Sequence, residues 1–404
     1  MAGTVKLSQL GASGAPAPAQ SILLNVTQTS VSSGSITQAI PAGTYSVVSD
    51  YPCQLTINSV NYQILGGSTP TIITVASSAT SYSVINLSLG LAFTTKTAPA
   101  NLVFIAFGNG VFSALVSGAS ATSYTSPDGI TWTARTMPSS QTWSAIIYAG
   151  SQFVALASGA AIAATSPDGI TWTSRTLPSS TAWCAIAYNG TNYCAISSTS
   201  GTVAATSPDG VTWTARTLPT SQVWTGIAWL ASAGVFVACS NAGTSWASSP
   251  DGVTWTTRTS AIAGLATTSY QPIVSGNSIF VAATSTLSTP VQTSTDGINW
   301  TARAIPASNG NFSGTSGLNF INGQFMFAAS LVGANVGTTY YLVTSPDGIN
   351  WTSRVITFAQ FAVLSNTNAT ASSTNAVWVG GTTLLEAPLL PNPIGIYGQP
   401  VVTI

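Results

Sequence analysis

Short apolar runs alternate with turn-forming residues along almost the whole chain. Trp183 to Tyr188, Tyr193 to Ser197, Val203 to Ser207 and Val211 to Thr217 each have strand length, with Asn189-Gly190 and Pro208-Asp209-Gly210 among the residues that divide them. Runs of this length, rich in β-branched and aromatic side chains and bounded by Gly, Asn, Asp and Pro, predict antiparallel strands joined by tight turns. Nearer the N-terminus the same texture recurs in Ile22-Leu23-Leu24-Asn25-Val26, Thr44-Tyr45-Ser46-Val47-Val48, Gln54-Leu55-Thr56-Ile57 and Thr71-Ile72-Ile73-Thr74-Val75, with turns at Pro41-Ala42-Gly43 and Gly66-Gly67. No heptad pattern and no apolar stretch long enough for a spanning helix interrupts it. The expected class is all-β.

One motif recurs six times: Ser-Pro-Asp-Gly-Ile/Val-Thr-Trp, with Thr295 and Asn299 as variants in one copy and Asn350 in another. Its aspartates are Asp128, Asp168, Asp209, Asp251, Asp296 and Asp347, separated by 40, 41, 42, 45 and 51 residues. A tryptophan follows each by four positions (Trp132, Trp172, Trp213, Trp255, Trp300, Trp351) and an arginine by seven (Arg135, Arg175, Arg216, Arg258, Arg303, Arg354). Intervals of about 40 to 50 residues are those of a four-stranded propeller blade. Within the motif the aspartate can accept hydrogen bonds from nearby N–H groups, the glycine tolerates a positive φ, and the tryptophan buries a large ring between strands. The constant offset of each arginine predicts that it braces the ring, as an ion pair with a motif carboxylate or as a donor to a carbonyl.

The motif resembles the Asp box of the sialidase-type (BNR) repeat, S/T-x-D-x-G-x-T/S-x-W, in the compact form S-P-D-G-x-T-W found in β-propellers. The resemblance covers roughly residues 80 to 385. It implies a propeller with the boxes on the turns between third and fourth strands, away from the usual active-site mouth, and it does not by itself imply hydrolysis. A degenerate copy at 88–99, with Phe93 for the tryptophan and Lys96 for the arginine, and boxless apolar runs at 358–364 and 376–385 suggest a further blade closed from both chain ends. The expected fold is therefore a seven-bladed propeller, with six blades as the alternative, over 79–386. Residues 80–99 would supply two strands of the closing blade and 358–385 the other two. Before it stand a Pro/Ala/Gly-rich arm or linker at 1–20 and a small β anchoring domain of about five strands at 21–78; a tail at 387–404 follows.

Composition removes most chemistry. Eight cations balance eight anions, charged residues are 4% of the 404, and there is no histidine. An ordinary domain is about 25% charged. A polybasic nucleic-acid or membrane patch, a His-ligated metal site and any histidine-based triad are excluded. The aspartates, one per repeat, do not form the oxygen cluster that calcium requires, so no metal and no cofactor is expected. Six of the eight acids and all six arginines lie in the repeats, leaving Asp50 and Glu386 as the remaining carboxylates. A glycosidase places two carboxyl groups roughly 5 to 10 Å apart across the bond, and nothing in the sequence brings these two together. The sialidase resemblance implies three convergent arginines, a tyrosine nucleophile and an acid/base aspartate, but here the arginines are dispersed one per repeat. No catalytic residue is expected.

Met1 to Gln20 has no continuous apolar core of the signal-peptide kind. Cys53, Cys184, Cys194 and Cys239 show no metal or disulfide spacing and read as small buried hydrophobes, with no bridge expected across a two-residue Asn189-Gly190 turn. For binding, Trp143, Trp183 and Trp224, each fifteen residues after a motif aspartate, could present indoles to a sugar ring, although equal spacing is equally what core positions show. Trp229, Trp246 and Trp378 fall outside the repeat. A neutral, Ser/Thr-rich exterior lacks the net charge that keeps a free protein dispersed. With the arm, the small β domain and the repeat-built distal part, the chain resembles bacteriophage virion components: tail fibres, head fibres, receptor-binding or capsid-decorating proteins. That resemblance implies a non-enzymatic, multi-copy or homo-oligomeric structural protein, attached through its N-terminal region to other virion proteins and facing a host surface or glycan. It implies neither nucleic-acid binding nor membrane insertion. A free lectin propeller, or a sialidase-like hydrolase, are the alternatives.

Overall fold

The computed structural model describes residues 3–10, 16–26, 32–40, 42–49, 53–57, 60–64, 67–75, 79–86, 94–240, 245–259, 273–283, 291–305, 312–321, 323–333, 337–356, 368–371 and 375–388. Every regular element among them is a strand. The chain divides into two compact units, whose main bodies are Met1–Ala92 and Phe93–Ala387.

The first unit holds two antiparallel four-stranded sheets. One has the spatial order Pro16–Val26, Gly3–Leu10, Gly43–Ser49, Gly67–Val75, and the other the order Ser32–Ile40, Ala79–Asn86, Cys53–Ile57, Val60–Ile64. The segment expected to be an arm therefore pairs as strand, with Val5 opposite Leu24 on one side and Ser49 on the other. Its few apolar residues alternate with polar ones, enough to cover one face of a sheet. Among the described residues six strands, Pro16–Val26 to Gly67–Val75, fall wholly or partly within 21–78, where about five were expected. Tyr45, Val47 and Ile57 are buried. Ala79–Asn86, expected to begin the ring, pairs instead with Ser32–Ile40 and Cys53–Ile57.

The second unit is built from antiparallel four-strand meanders. Three form separate sheets: Trp224–Leu230 to Thr256–Thr259, Ile273–Gly276 to Thr301–Arg303, and Phe312–Ile321 to Thr352–Ile356. Earlier ones merge into an eleven-stranded sheet because single long strands serve two meanders. In Thr173–Tyr188, residues 173–176 pair with the strand before and 183–188 with the strand after. Register shifts mark the bends, as at Trp183/Ala185. The sheet closes through the chain ends: Asn368–Ala371 pairs with the first part of Asn375–Pro388, whose last part pairs with 94–97 of Thr94–Gly108, Leu384 opposite Lys96. Closure thus takes one strand from the N-terminal side, where two were expected, and the rest from the C-terminal side. Residues 389–404, expected to be a tail, and Phe93 lie outside the described residues.

The core is a series of layers between successive sheets. Tyr193–Ser197 and Ile279–Ala283 are buried along their whole length, because a sheet with neighbours on both faces has no solvent side. One layer joins Leu156, Ala163 and Leu177 of one meander to Trp183, Ala195 and Ala205 of the next. Alanines on the facing strands allow the sheets to approach while the indole fills the wedge between them.

Candidate functional site

Each motif aspartate occupies a turn between third and fourth strands, and its surroundings repeat almost unchanged. Ser166 Oγ donates to Asp168 Oδ1 at 3.0 Å and accepts the Gly169 N–H at 2.8 Å. Asp168 Oδ1 then accepts the N–H groups of Ile170 and Thr171, both at 2.9 Å. Trp172 Nε1 returns a bond to the Gly169 carbonyl at 3.0 Å. The same serine–aspartate bond and paired N–H donors recur at Asp128, Asp209, Asp251, Asp296 and Asp347. Where asparagine replaces threonine, its amide donates to the second carboxylate oxygen, at Asp296 from Asn299 (2.8 Å) and at Asp347 from Asn350 (2.7 Å). The motif glycines all have φ between 70 and 81°, a region that only Gly enters without strain.

These bonds fix the charge state. At Asp168 the Thr171 N–H, and at Asp209 the Thr212 N–H, hold the carboxyl below its ordinary range. At Asp128, Asp251 and Asp296 burial pushes upward, but the turn's N–H donors outweigh it, taking Asp296 down to about 2. A carboxylate held ionised by three or more donors of its own turn is a poor proton carrier at neutral pH.

The arginines do not meet the expectation of an ion pair through their Nε groups. Arg135, Arg175, Arg216 and Arg303 donate from Nε to Thr125, Thr165, Thr206 and Thr293 Oγ1, and Arg258 to Ser248 Oγ, at 2.8–2.9 Å. The acceptor is a hydroxyl on the adjoining third strand, ten residues back, so each arginine ties its own sheet together. Strand register sets this up: Arg135 lies opposite Ser123, which is two positions from Thr125 on the same strand. The side chains of Arg354 and Glu386, and the whole of Asp50, lie outside the described residues.

The sugar-stacking expectation for Trp143, Trp183 and Trp224 is overturned. They are 1, 0 and 0% exposed, and their Nε1 groups donate to the carbonyls of Ser120 (3.1 Å), Ser179 (3.0 Å) and Gly201 (3.2 Å). Each indole roofs the joint between two sheets. Trp246 is buried as well and stacks on Trp300 at 4.5 Å, while Trp229 packs on Phe236; the Trp378 side chain is outside the described residues. Trp300 alone among the motif tryptophans is a buried indole N–H without an acceptor, as is Trp246.

Sequence reasoning missed three kinds of residue. The motif serine is the pivot of the turn, and its invariance across six copies was the available signal. Ser144 and Cys184, at strand bulges, donate to the carbonyls of Trp183 (2.6 Å) and Trp224 (3.4 Å) in the next sheet. Asn109, Gln152 and Asn277 reach to the carbonyls of Pro167 (3.3 Å), Asp209 (2.6 Å) and Pro346 (2.6 Å), linking a first-to-second-strand turn to the following motif turn. No local sequence signal marks the last two kinds, because their partners lie 39 to 69 positions away.

Cys194 and Cys239 are buried and free, and burial pushes both thiols up to about 12. The turn between Tyr188 and Tyr193 spans Asn189 to Asn192, closed by an Asn189 N–H bond to the Asn192 carbonyl, and is not the two-residue turn expected. Cys184 remains free at its bulge, and the Cys53 side chain is outside the described residues. Tyr193 O–H donates to the Ala149 carbonyl, and burial raises its pKa to about 12. Among the described residues no group of three or more His, Cys, Asp or Glu could hold a metal ion, and no helix is long and apolar enough to cross a membrane.

Residues 90–226 match a family model described as the DUF6242 beta propeller domain. No curated protein matches the chain. Among solved structures it is similar to selenomethionine-substituted virginiamycin B lyase from Staphylococcus aureus, at 13% identity and TM-score 0.56 over 74% of this chain and 99% of that one. It is likewise similar to a streptogramin B lyase, at 13% identity and TM-score 0.56 over 74% and 98%. A third similarity is to YCF48 bound to D1 peptide, at 18% identity and TM-score 0.51 over 73% and 96%. At these identities the likeness is one of fold. The chain is an all-β protein with a β-propeller domain.

Proposed function

We propose that this chain is a non-enzymatic structural and adhesive virion protein of a bacteriophage, a tail fibre, head fibre or capsid decoration. In this reading its N-terminal β domain attaches to other virion proteins and its propeller is displayed toward a host surface. The observation that carries it is the engagement of the repeat's ionisable groups within their own blades: six carboxylates close their own turns and five arginines donate from Nε to hydroxyls of their own sheets. A histidine-to-alanine variant of virginiamycin B lyase is described as catalytically inactive, and this chain has no histidine to supply. A zero net charge favours a molecule locked into an assembly over a free one.

The turns carry the residues of the Asp box, and their aspartates accept N–H groups of their own turn, which is the support for reading the propeller as built of sialidase-type repeats. Seven blades is the count we favour. Support comes from the first strands of successive meanders, Thr94–Gly108, Thr133–Ala149, Thr173–Tyr188, Trp224–Leu230, Ile273–Gly276, Phe312–Ile321 and Asn368–Ala371, which contact one another in a closed cycle. A closed ring leaves no sheet edge at its ends for pairing with other chains.

Mass spectrometry and electron microscopy of particles from the native source test the assignment. The chain is expected in multiple copies per particle; its recovery only as a free, particle-independent monomer overturns the reading. Turnover of a fluorogenic sialoside by the purified full-length chain would remove the non-enzymatic part. Any glycan adhesion has to use residues other than the three buried tryptophans, so Trp183→Phe is expected to leave a positive glycan-array signal unchanged.

A further inference from the structure

The large apolar side chains that are exposed among the described residues are Ile130, Ile170, Val211, Val253, Ile298 and Ile349, at 36 to 47%. All six occupy one position, the residue after the motif glycine. Scattered exposed aliphatics are ordinary, but these are confined to a single site of the repeat and fill it every time. Local backbone preference does not explain the choice. The position suits a β-branched residue, and threonine, which the chain uses immediately afterwards in four of the copies, would serve the same geometry while welcoming water.

The six positions share one rim of the propeller. Each motif turn lies at the same end of its sheet as the first-to-second-strand turns, and three of them, at Asp168, Asp209 and Asp347, are tied to such a turn by the Asn109, Gln152 and Asn277 amides. That rim carries an aspartate two positions before each aliphatic. The described turns beside it, 109–110, 150–151, 189–192, 231–234 and 277–278, contain no cation. The arginines stand further along the fourth strands, their Nε groups bound to third-strand hydroxyls. The rim is thus an alternation of carboxylate and aliphatic side chains. A second copy apposed rim to rim would set carboxylate against carboxylate, and a bilayer surface would set carboxylate against lipid phosphate. A protein surface presenting lysine or arginine among apolar side chains matches both features.

We infer that this rim is a docking face for a partner protein surface that is basic and studded with apolar side chains. The inference stands apart from the virion assignment, since it needs only the ring of aliphatics and the sign of the charge around it. The aliphatics supply desolvated area and the carboxylates set orientation, so association weakens with salt.

The test uses the full-length chain and a synthetic lysine–leucine peptide as probe, read by isothermal calorimetry. Binding is expected, weakening by about tenfold as ionic strength rises from low to well above physiological. A glutamate–leucine peptide is expected not to bind. A variant with all six aliphatics changed to threonine, Ile130→Thr through Ile349→Thr, keeps the β-branched shape and is expected to bind at least about tenfold more weakly with an unchanged far-UV spectrum. Should that variant fail to fold, two variants of three substitutions each are expected to lose part of the affinity. Equal affinity of folded variant and parent overturns the inference. So does failure of the parent to bind, attachment to phosphatidylcholine vesicles that the threonine variant loses, or a self-association that the variant abolishes.

Discussion

A serine hydroxyl at the head of each motif turn donates a hydrogen bond to the aspartate, and in four of the six it also accepts one from the glycine N–H, so that the two residues are held together through it. Ser166 is fully buried, so Ser166→Ala leaves the Gly169 N–H without an acceptor. The expected loss is about 1 to 3 kcal/mol, read as a lower urea midpoint with the slope unchanged. Proton linkage belongs to the same groups. Asp128, Asp168, Asp209, Asp251 and Asp296 have folded-state pKa values below their unfolded ones, so the unfolded chain takes up protons more readily as pH falls. Their contribution is complete above about pH 4 and is lost as pH drops toward the folded values, near 2 for Asp296. With no histidine to titrate, the melting temperature is expected to stay level from about pH 5 to 8 and to fall between about pH 4 and 2. A step near neutrality would contradict that assignment.

Between elements, stability depends on how closely a motif turn seats against the preceding sheet. Gly118 and Gly297 both have positive φ, 78 and 70°, yet a Cβ at Gly118 meets open space whereas one at Gly297 would lie 2.5 Å from Val237 Cγ2. Both alanine variants incur the left-handed strain, about 1 to 2 kcal/mol. Gly297→Ala is expected to lose a further 1 to 3 kcal/mol or so from overpacking, and the difference in melting temperature between the two isolates the joint. The stacked pair Trp246 and Trp300 offers a second comparison. Trp172→Phe removes an N–H that satisfies the Gly169 carbonyl, while Trp300→Phe removes one that satisfies nothing. The first is expected to cost about 1 kcal/mol more than the second in urea titrations.

At the scale of the molecule, the strand carrying Leu384 closes the sheet against the strand that begins at Thr94. A chain ending before Asn368 lacks both strands that the closure draws from the C-terminal side. It is expected to aggregate through the exposed edge of Thr94–Gly108, seen as high-mass species in size-exclusion chromatography. Recovery of a monomer with unaltered melting would show that closure contributes little.

Six equal motifs at blade spacing made the propeller, its turn chemistry and its dispersed arginines legible from the residues alone, because a turn is a local object whose donors and acceptors lie within four positions of one another. The serine's role is equally local, since its partners Asp168 and Gly169 stand two and three positions after Ser166. Pairing between the chain ends was only half legible: apolar periodicity announces strands but carries no information on partners, so residues 79–86 and the N-terminal segment were misplaced. Burial was legible only in part: Cys194 and Cys239 read as buried hydrophobes and are buried, but the surroundings of Trp143, Trp183 and Trp224 were not legible. Fifteen residues after each of three motif aspartates a tryptophan could have faced water or a neighbouring sheet, and the sequence is the same in both cases. Only the stacking of one sheet on the next, which fills the wedge around Trp143, Trp183 and Trp224 and leaves the six turn aliphatics outside it, decided which side chains are core and which remain available.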